Sequence, residues 1–237
     1  MDSRPFFFKK FGMFHHRSTM RVGTDAVLFA RWVGVSCSDR VLDVGTGSGI
    51  IPLILAQREA GRVDAIELDF DSCEEARQNF EISVWSDKLA VFNEDVRFFA
   101  DNAKGRYDLI VSNPPFYSSD VKPIREKKVM ARHVSTLSYQ DLLVSARKML
   151  KDDGRLAVVL PYYESRLFIK DAEKQGFYLQ KEFLISPIEG KEPNRVNLQF
   201  GLNNQQCDDR VLFTIRNKDY LYTEEYKEFL KDFYLDF

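Results

Sequence analysis

The sequence predicts an α/β fold, a doubly wound and mostly parallel sheet with helices on both faces. Two observations predict it. Strand-like apolar runs alternate with helical stretches five times, and right-handed crossovers turn that alternation into a parallel sheet. The first run, RVLDV at 40–44, passes straight into a glycine cluster that opens a helix. In such sheets the carboxyl ends of the strands form a ligand crevice. A chain of 237 residues, 44% hydrophobic and 30% charged, can bury a core for one large domain without disulfides or metals.

The elements follow in order. Residues 1–22 mix Phe, Lys, Arg and His with no clean period and read as a basic, aromatic extension. Residues 23–237 read as a single domain. A short helix starts at Asp25, with Thr24 as its N-cap. After the strand at 40–44, a helix spans 50–59, with Pro52 in its first turn, where the missing N–H costs least. VDAIEL at 63–68 is the second strand. A helix over 71–83 carries Ala76, Phe80 and Val84 at helical spacing. LAVFN at 89–93 and YDLIVS at 107–112 are strands three and four.

A helix over 141–151 ends before Asp152-Asp153-Gly154, a turn signal. RLAVVL at 155–160 is the fifth strand, stopped by Pro161. A helix over 163–175 closes at Gly176 as its C′ residue. Residues 177–185 form the sixth strand. Val196, Leu198, Phe200 and Leu202 alternate with polar residues and glycine, which predicts a half-exposed, antiparallel seventh strand. The expected sheet is therefore seven-stranded and mostly parallel with an antiparallel C-terminal strand. A short strand at 211–215 and a helix from Thr223 end the chain. Tyr226, Phe229, Leu230 and Phe233 share one face of that helix, for packing.

Charge and cysteine content narrow the function. The net charge of −2 carries no overall nucleic-acid signal. Its distribution does. Residues 1–31 hold six Lys/Arg against Asp2 and Asp25, and residues 122–132 hold five against Glu126. Two basic segments in a neutral chain suggest a basic face for an anionic partner. Cysteines 37, 73 and 207 show no paired spacing, so reduced thiols and a cytoplasmic location are expected. No apolar run approaches the ~20 residues of a membrane helix. His15 and His16 are adjacent and lack a third ligand, so no metal site is expected.

Two motifs carry chemistry. The first is Asp43-Val44-Gly45-Thr46-Gly47-Ser48-Gly49, a turn that lets a ligand approach the main chain. Glu67 ends the next strand, where an acid can accept hydrogen bonds from both ribose hydroxyls of an adenosine. The loop has neither the G-x-G-x-x-G of dinucleotide sites nor the GK[ST] of a P-loop. The second motif is Asn113-Pro114-Pro115-Phe116 at the end of strand four. A planar exocyclic amine delocalises its lone pair and is a poor nucleophile. The Asn113 side-chain carbonyl and the Pro114 main-chain carbonyl can each take one of its hydrogens and aim the lone pair. Phe116 can stack on the base. Such catalysis works by positioning and matched electrostatics.

VLDVGTGSGI at 41–50 resembles motif I of the class I S-adenosylmethionine-dependent methyltransferases, which implies their Rossmann-like fold. The resemblance implies that the glycine loop packs on the sulfonium and amino-acid end of the cofactor, that Glu67 holds the ribose and that Asp95 lies beside the adenine. Thr24, Asp25, Asp43, Gly45, Gly47 and Asn113 complete the implied cofactor set. Asn113-Pro114-Pro115-Phe116 resembles the [DNS]PP[YFW] motif of amino-methylating members, which act on adenine in DNA or RNA or on protein glutamine.

The N-terminal stretch resembles one bacterial branch. Phe8-Lys9-Lys10-Phe11, His15-His16-Arg17 and Met20-Arg21-Val22-Gly23-Thr24-Asp25-Ala26 are similar to small transfer-RNA adenine methyltransferases that modify N6 of adenosine 37 in a valine tRNA. IELD at 66–69, Pro193-Asn194-Arg195-Val196 and FYL at 233–235 extend the resemblance over the chain. It departs at Phe116, where Tyr is commoner, and at Lys10, where Gln is usual. Aromatics interleaved with cations suit RNA phosphates and unpaired bases. Lys9, Lys10, His15, Arg17, Arg21, Arg132 and Arg195 are the expected RNA contacts, with His133 a further phosphate contact.

The expected partner is tRNA, bound by a monomer with no obligate protein partner and no membrane. Methylation of protein glutamine, or of adenine in ribosomal RNA or DNA, is the alternative. The non-enzyme alternative is a cofactor-binding RNA chaperone. An intact Asn113-Pro114-Pro115-Phe116 tetrad weighs against it.

Overall fold

The structure is a computed structural model and describes residues 4–114, 137–204 and 209–237. Strands β3 (Arg40–Val44), β4 (Arg62–Glu67), β5 (Leu89–Asn93), β6 (Tyr107–Ser112), β7 (Leu150–Pro161), β8 (Tyr178–Ile188), β9 (Arg195–Gly201) and β10 (Asp209–Arg216) form one sheet. Their order is β10–β8–β9–β7–β6–β3–β4–β5. Within it β9 alone is antiparallel to its neighbours, β7 and β8.

The sheet thus has eight strands, where seven were expected. The antiparallel strand is also not the last one. It is inserted between β7 and β8, while the last strand, β10, runs parallel to β8. The physical reason is a free edge on β8. Its outer side pairs with β10 from Asp209↔Lys181 to Arg216↔Ile188, which turns the short run at 211–215 into a full strand.

Helices cover both faces, as the alternation predicted. Helices α1 (Thr24–Trp32), α2 (Ile50–Gln57), α3 (Phe70–Ile82) and α7 (Glu224–Leu230) pack on one side through Leu28, Phe29, Leu53, Phe80 and Leu230. Helices α4 (Val96–Asn102), α5 (Tyr139–Met149) and α6 (Tyr162–Lys174) pack on the other through Val96, Leu142, Met149 and Phe168. Tyr226, Leu230 and Phe233 are buried, so the aromatic face of α7 does serve packing.

The N-terminal stretch folds back as a hairpin, β1 (Phe6–Phe7) with β2 (Gly12–Met13). Its Phe8, Phe11 and Met13 join the same core as α1 and α2.

Three local expectations change. The N-cap of α1 is Gly23, and Thr24 is the first helical residue. Val84 lies beyond α3 and is exposed, because the helix begins at Phe70 under an Asp69 cap and ends at Ile82. Asp152-Asp153-Gly154 sits inside β7, where the register jumps from Tyr107↔Leu150 to Leu109↔Arg155 and the extra residues loop out of the ladder. Gly176 is the expected left-handed C′ residue, at φ 77°, with the Phe177 N–H closing on the Ala172 carbonyl.

Candidate active site

The glycine loop leaves β3 and enters α2. Gly47 has φ 56° and Gly49 φ 87°, and a Cβ on Gly49 would stand 2.5 Å from the Phe80 ring. Only glycine meets both demands there. The Gly47 N–H donates to Glu67 Oε2 at 2.8 Å, and Glu67 Oε1 accepts the Asp69 N–H at 2.9 Å. The acid at the end of β4 is therefore fixed in position by the loop it faces. Burial raises its pKa, and those backbone bonds oppose the rise.

A cavity of about 730 Å³ opens at the carboxyl ends of β3, β4 and β6. Asp25, Gly45, Gly47, Glu67, Asp95, Asn113 and Pro114, all expected site residues, line it together. Two of its polar groups lack partners. Among the described residues, the Asn113 side-chain oxygen and the Thr46 hydroxyl are buried with no hydrogen-bond partner. So are both oxygens of Asp43, fully buried behind the loop. Burial, opposed by the Thr46 hydroxyl and helped by the Glu67 charge, pushes the Asp43 pKa up to about 7. Native interiors leave few polar atoms without a partner.

Of the expected cofactor residues, Thr24 and Asp43 do not line the cavity, and Asp95 lines it while paired within the protein. Thr24 stands beside Tyr226 and Tyr234 and opposes the burial-driven rise of their pKa values. Asp95 caps α4 through the Arg97 N–H and takes the Arg97 guanidinium side-on, which lowers its pKa.

The expected RNA-binding side chains are mostly engaged within the protein. Lys9 Nζ donates to main-chain oxygens of Lys231 and Phe237 at 2.6 Å each. Lys10 lines an open cleft with Glu224, Glu228, Asp232 and Asp236, so the basic start meets the acidic end of the chain. His15 Nδ1 accepts the Val22 N–H, Arg17 donates to Gln78, and Arg195 pairs with Asp25 at 2.8 Å. Arg21 lines the cavity. Pro115, Phe116, Arg132 and His133 lie outside the described residues.

Sequence reading missed how residues 14–21 reach the site. The carboxylate of Glu75, wholly buried in α3, accepts three consecutive main-chain N–H groups, those of His16, Arg17 and Ser18, at 2.8–2.9 Å. Asn79, one turn on, bonds both the N–H and the carbonyl of Phe14, and the carbonyl of Ser48 in the glycine loop. Thr19 and Met20 thereby become cavity wall. The one available signal was a buried-side Glu and Asn four apart on α3.

The sequence pattern of the methyltransferase small domain family matches residues 6–167. The chain belongs to that family. This methyltransferase is 39% identical over its whole length, and that of its relative, to the tRNA1(Val) (adenine(37)-N6)-methyltransferase of Trichodesmium erythraeum. It is 38% identical to the protein of that name from Proteus mirabilis, over 97% of this chain and 93% of the other. Among solved structures it is similar to a predicted O-methyltransferase from Agrobacterium tumefaciens, with a TM-score of 0.63, 16% identity, and coverage of 88% and 96%. A TehB-like SAM-dependent methyltransferase from Corynebacterium glutamicum gives a TM-score of 0.51 at 20% identity, over 75% and 86%. The fold is the class I methyltransferase fold expected from the sequence.

S-adenosylmethionine is its methyl donor, and the residues present fit that group. Glu67 presents its carboxylate to the cavity. The unpartnered Thr46 hydroxyl in the cavity wall can pair with a polar ligand.

Proposed function

We propose that this methyltransferase acts on the N6 amino group of an adenosine in tRNA, adenosine 37 of a valine tRNA. The observation that carries the reading is the Asn113 side-chain oxygen, buried in the cavity wall without a partner beside Pro114. An acceptor held free at the end of β6 is what an amine donor requires. The names of the full-length relatives support adenosine 37 as the substrate.

When bound, S-adenosylmethionine supplies an electrophilic methyl group on a sulfonium. Asn113 Oδ1 accepts one N6 hydrogen, and the Pro114 carbonyl accepts the other. The lone pair of the amine is thereby turned out of conjugation with the ring. Proline at 114 has no N–H of its own to compete for an acceptor. Neither residue takes up a proton, so the proton released from nitrogen passes to water. By resemblance, Phe116 stacks on the extruded base and Pro115 stiffens its approach. A base in a loop is cheaper to extrude than a paired one. The reading extends to a cytoplasmic monomer. Among the described residues no helix is long and apolar enough to cross a membrane.

Labelled methyl transfer to bulk tRNA, to total protein and to DNA, run in parallel, tests the substrate. Label should appear in tRNA as N6-methyladenosine, and label in protein glutamine alone would sink the reading. Asn113→Ala should slow single-turnover transfer by about 10²–10³-fold, as for loss of one preorganised polar partner. Asn113→Asp keeps an acceptor and should retain more rate. Binding of S-adenosylhomocysteine should change little in either.

A further inference from the structure

The cavity is strongly acidic. Among the described residues five carboxylates line it, Glu67 and Asp25 among them, against two guanidiniums, Arg21 and Arg97. Arg97 is taken up by Asp95, with Asp141 at 3.8 Å. Arg21 makes no hydrogen bond or ion pair with any described residue. Among the described residues it is thus the uncommitted cation of an acidic cleft. The expected cofactor has two cationic centres, an ammonium and a sulfonium, and one carboxylate. An acidic lining suits the first two. The carboxylate needs a cation, and an unpaired arginine offers a planar fork that matches it.

Position supports the match. The segment carrying Arg21 crosses the glycine loop, where a Cβ on Gly47 would stand 3.3 Å from Ser18 Oγ. That loop is the part of the cleft expected to face the amino-acid end of the cofactor. The backbone on either side is fixed. Thr19 N–H donates to Ser72 Oγ at 3.2 Å, Val22 N–H to His15, and Gly23 then becomes the N-cap of α1 with no side chain capping the helix. Thr46 lies on the same loop, 5% exposed, with its hydroxyl unpartnered in the cavity wall. The partners of the other cations expected to meet RNA explain why Arg21 differs. Lys9, Arg17 and Arg195 each have a protein acceptor.

We propose that Arg21 binds the carboxylate at the amino-acid end of the cofactor, with the Thr46 hydroxyl as its second partner. The residue then belongs to the cofactor site and not to an RNA surface. The inference rests on the reading of this cleft as the S-adenosylmethionine site, and the ligands of the test separate the two.

Calorimetry with S-adenosylhomocysteine and with 5′-methylthioadenosine, which lacks the whole amino-acid end, makes the comparison. Arg21→Ala should weaken S-adenosylhomocysteine by about 10- to 100-fold, the worth of a hydrogen-bonded pair involving charge. It should leave methylthioadenosine unchanged, and that unchanged binding also shows an intact fold. Arg21→Lys should recover part of the loss. Equal losses for both ligands would overturn the assignment. So would unaltered S-adenosylhomocysteine binding together with a salt slope for tRNA binding shallower by about one, the signature of a phosphate contact. If wild-type protein bound neither ligand, the cofactor reading itself would fall, and the Arg21 assignment with it.

Discussion

Asp43 and Asp64 stand on adjacent strands of one sheet, and both are within 1% of complete burial. Their surroundings are opposite. Asp64 accepts from Arg40 at 2.7 and 3.2 Å, from Arg62 at 3.1 Å and from the Tyr107 hydroxyl at 2.9 Å. Neither oxygen of Asp43 meets a hydrogen bond of good geometry, and only the nearby Thr46 hydroxyl opposes the rise of its pKa. One carboxylate is completed by the protein. The other, behind the glycine loop and outside the cavity lining, is left uncompleted. A buried carboxylate that the fold satisfies ties elements together, while one it leaves open is driven toward its neutral form.

Substitutions at three buried polar positions sharpen or break that contrast. Asp64→Ala should show the largest loss of stability, about 3 kcal/mol in a denaturant melt. That is the low end for breaking a buried pair, because Arg40 and Arg62 can turn to water while the buried Tyr107 hydroxyl cannot. A loss below 1 kcal/mol would mean that the completed carboxylate is no tie.

Asp43→Asn should act in the other direction. Burial holds the Asp43 pKa at about 7, against about 3.9 for an unfolded aspartate. The folded protein therefore binds more protons than the unfolded chain between those values. Stability falls as pH rises from about 4 to about 7, and is level above. The amide that replaces the carboxyl does not titrate. Without ligand, the variant should gain on wild type across this window and exceed it by about 2 kcal/mol at pH 8. That is about half of what the full shift corresponds to, since the amide also lacks partners there. Parallel stability curves for the two proteins would break the comparison.

Asn197 gives the smallest effect and the control. It is fully buried in β9, between Val159 and Phe183, and neither side-chain polar atom has a partner among the described residues. It does not line the cavity. Asn197→Leu should stabilise by about 1 kcal/mol, read from the melt, by removing two unmet polar groups. Binding of S-adenosylhomocysteine should not change. If it weakened, orphaned polar atoms would not separate site from scaffold.

The strands were legible wherever an apolar run ended at a glycine or proline, as at 40–44 and 155–160. Glu67 was legible because a strand-end acid after a glycine loop has few other uses. What stayed hidden depends on contacts between residues far apart in sequence. Nothing near Arg17 shows that Glu75 holds its N–H, or near Lys9 that the carbonyl of Lys231 receives its ammonium. The basic, aromatic character of residues 4–21 pointed to a surface. The fold uses much of it for core and for internal pairing. The place of β9 was equally hidden, since alternation gives a strand its exposure and not its neighbours.

That place has a consequence in time. β9 follows β8 in the chain but separates it from β7, joined to each by an antiparallel ladder. While the chain is being made, β3 to β7 can pair in turn, and the glycine loop and Asn113 are then already in place. β8 has no edge to join until residues 195–201 arrive. A single strand must then zip to two partners at once, and β10 can only follow. Such non-local closure is slow and leaves the apolar edge of β7, through Val158 and Leu160, open to other chains meanwhile. The vulnerable moment in the life of this protein comes after its cofactor half has formed and before its last third has closed.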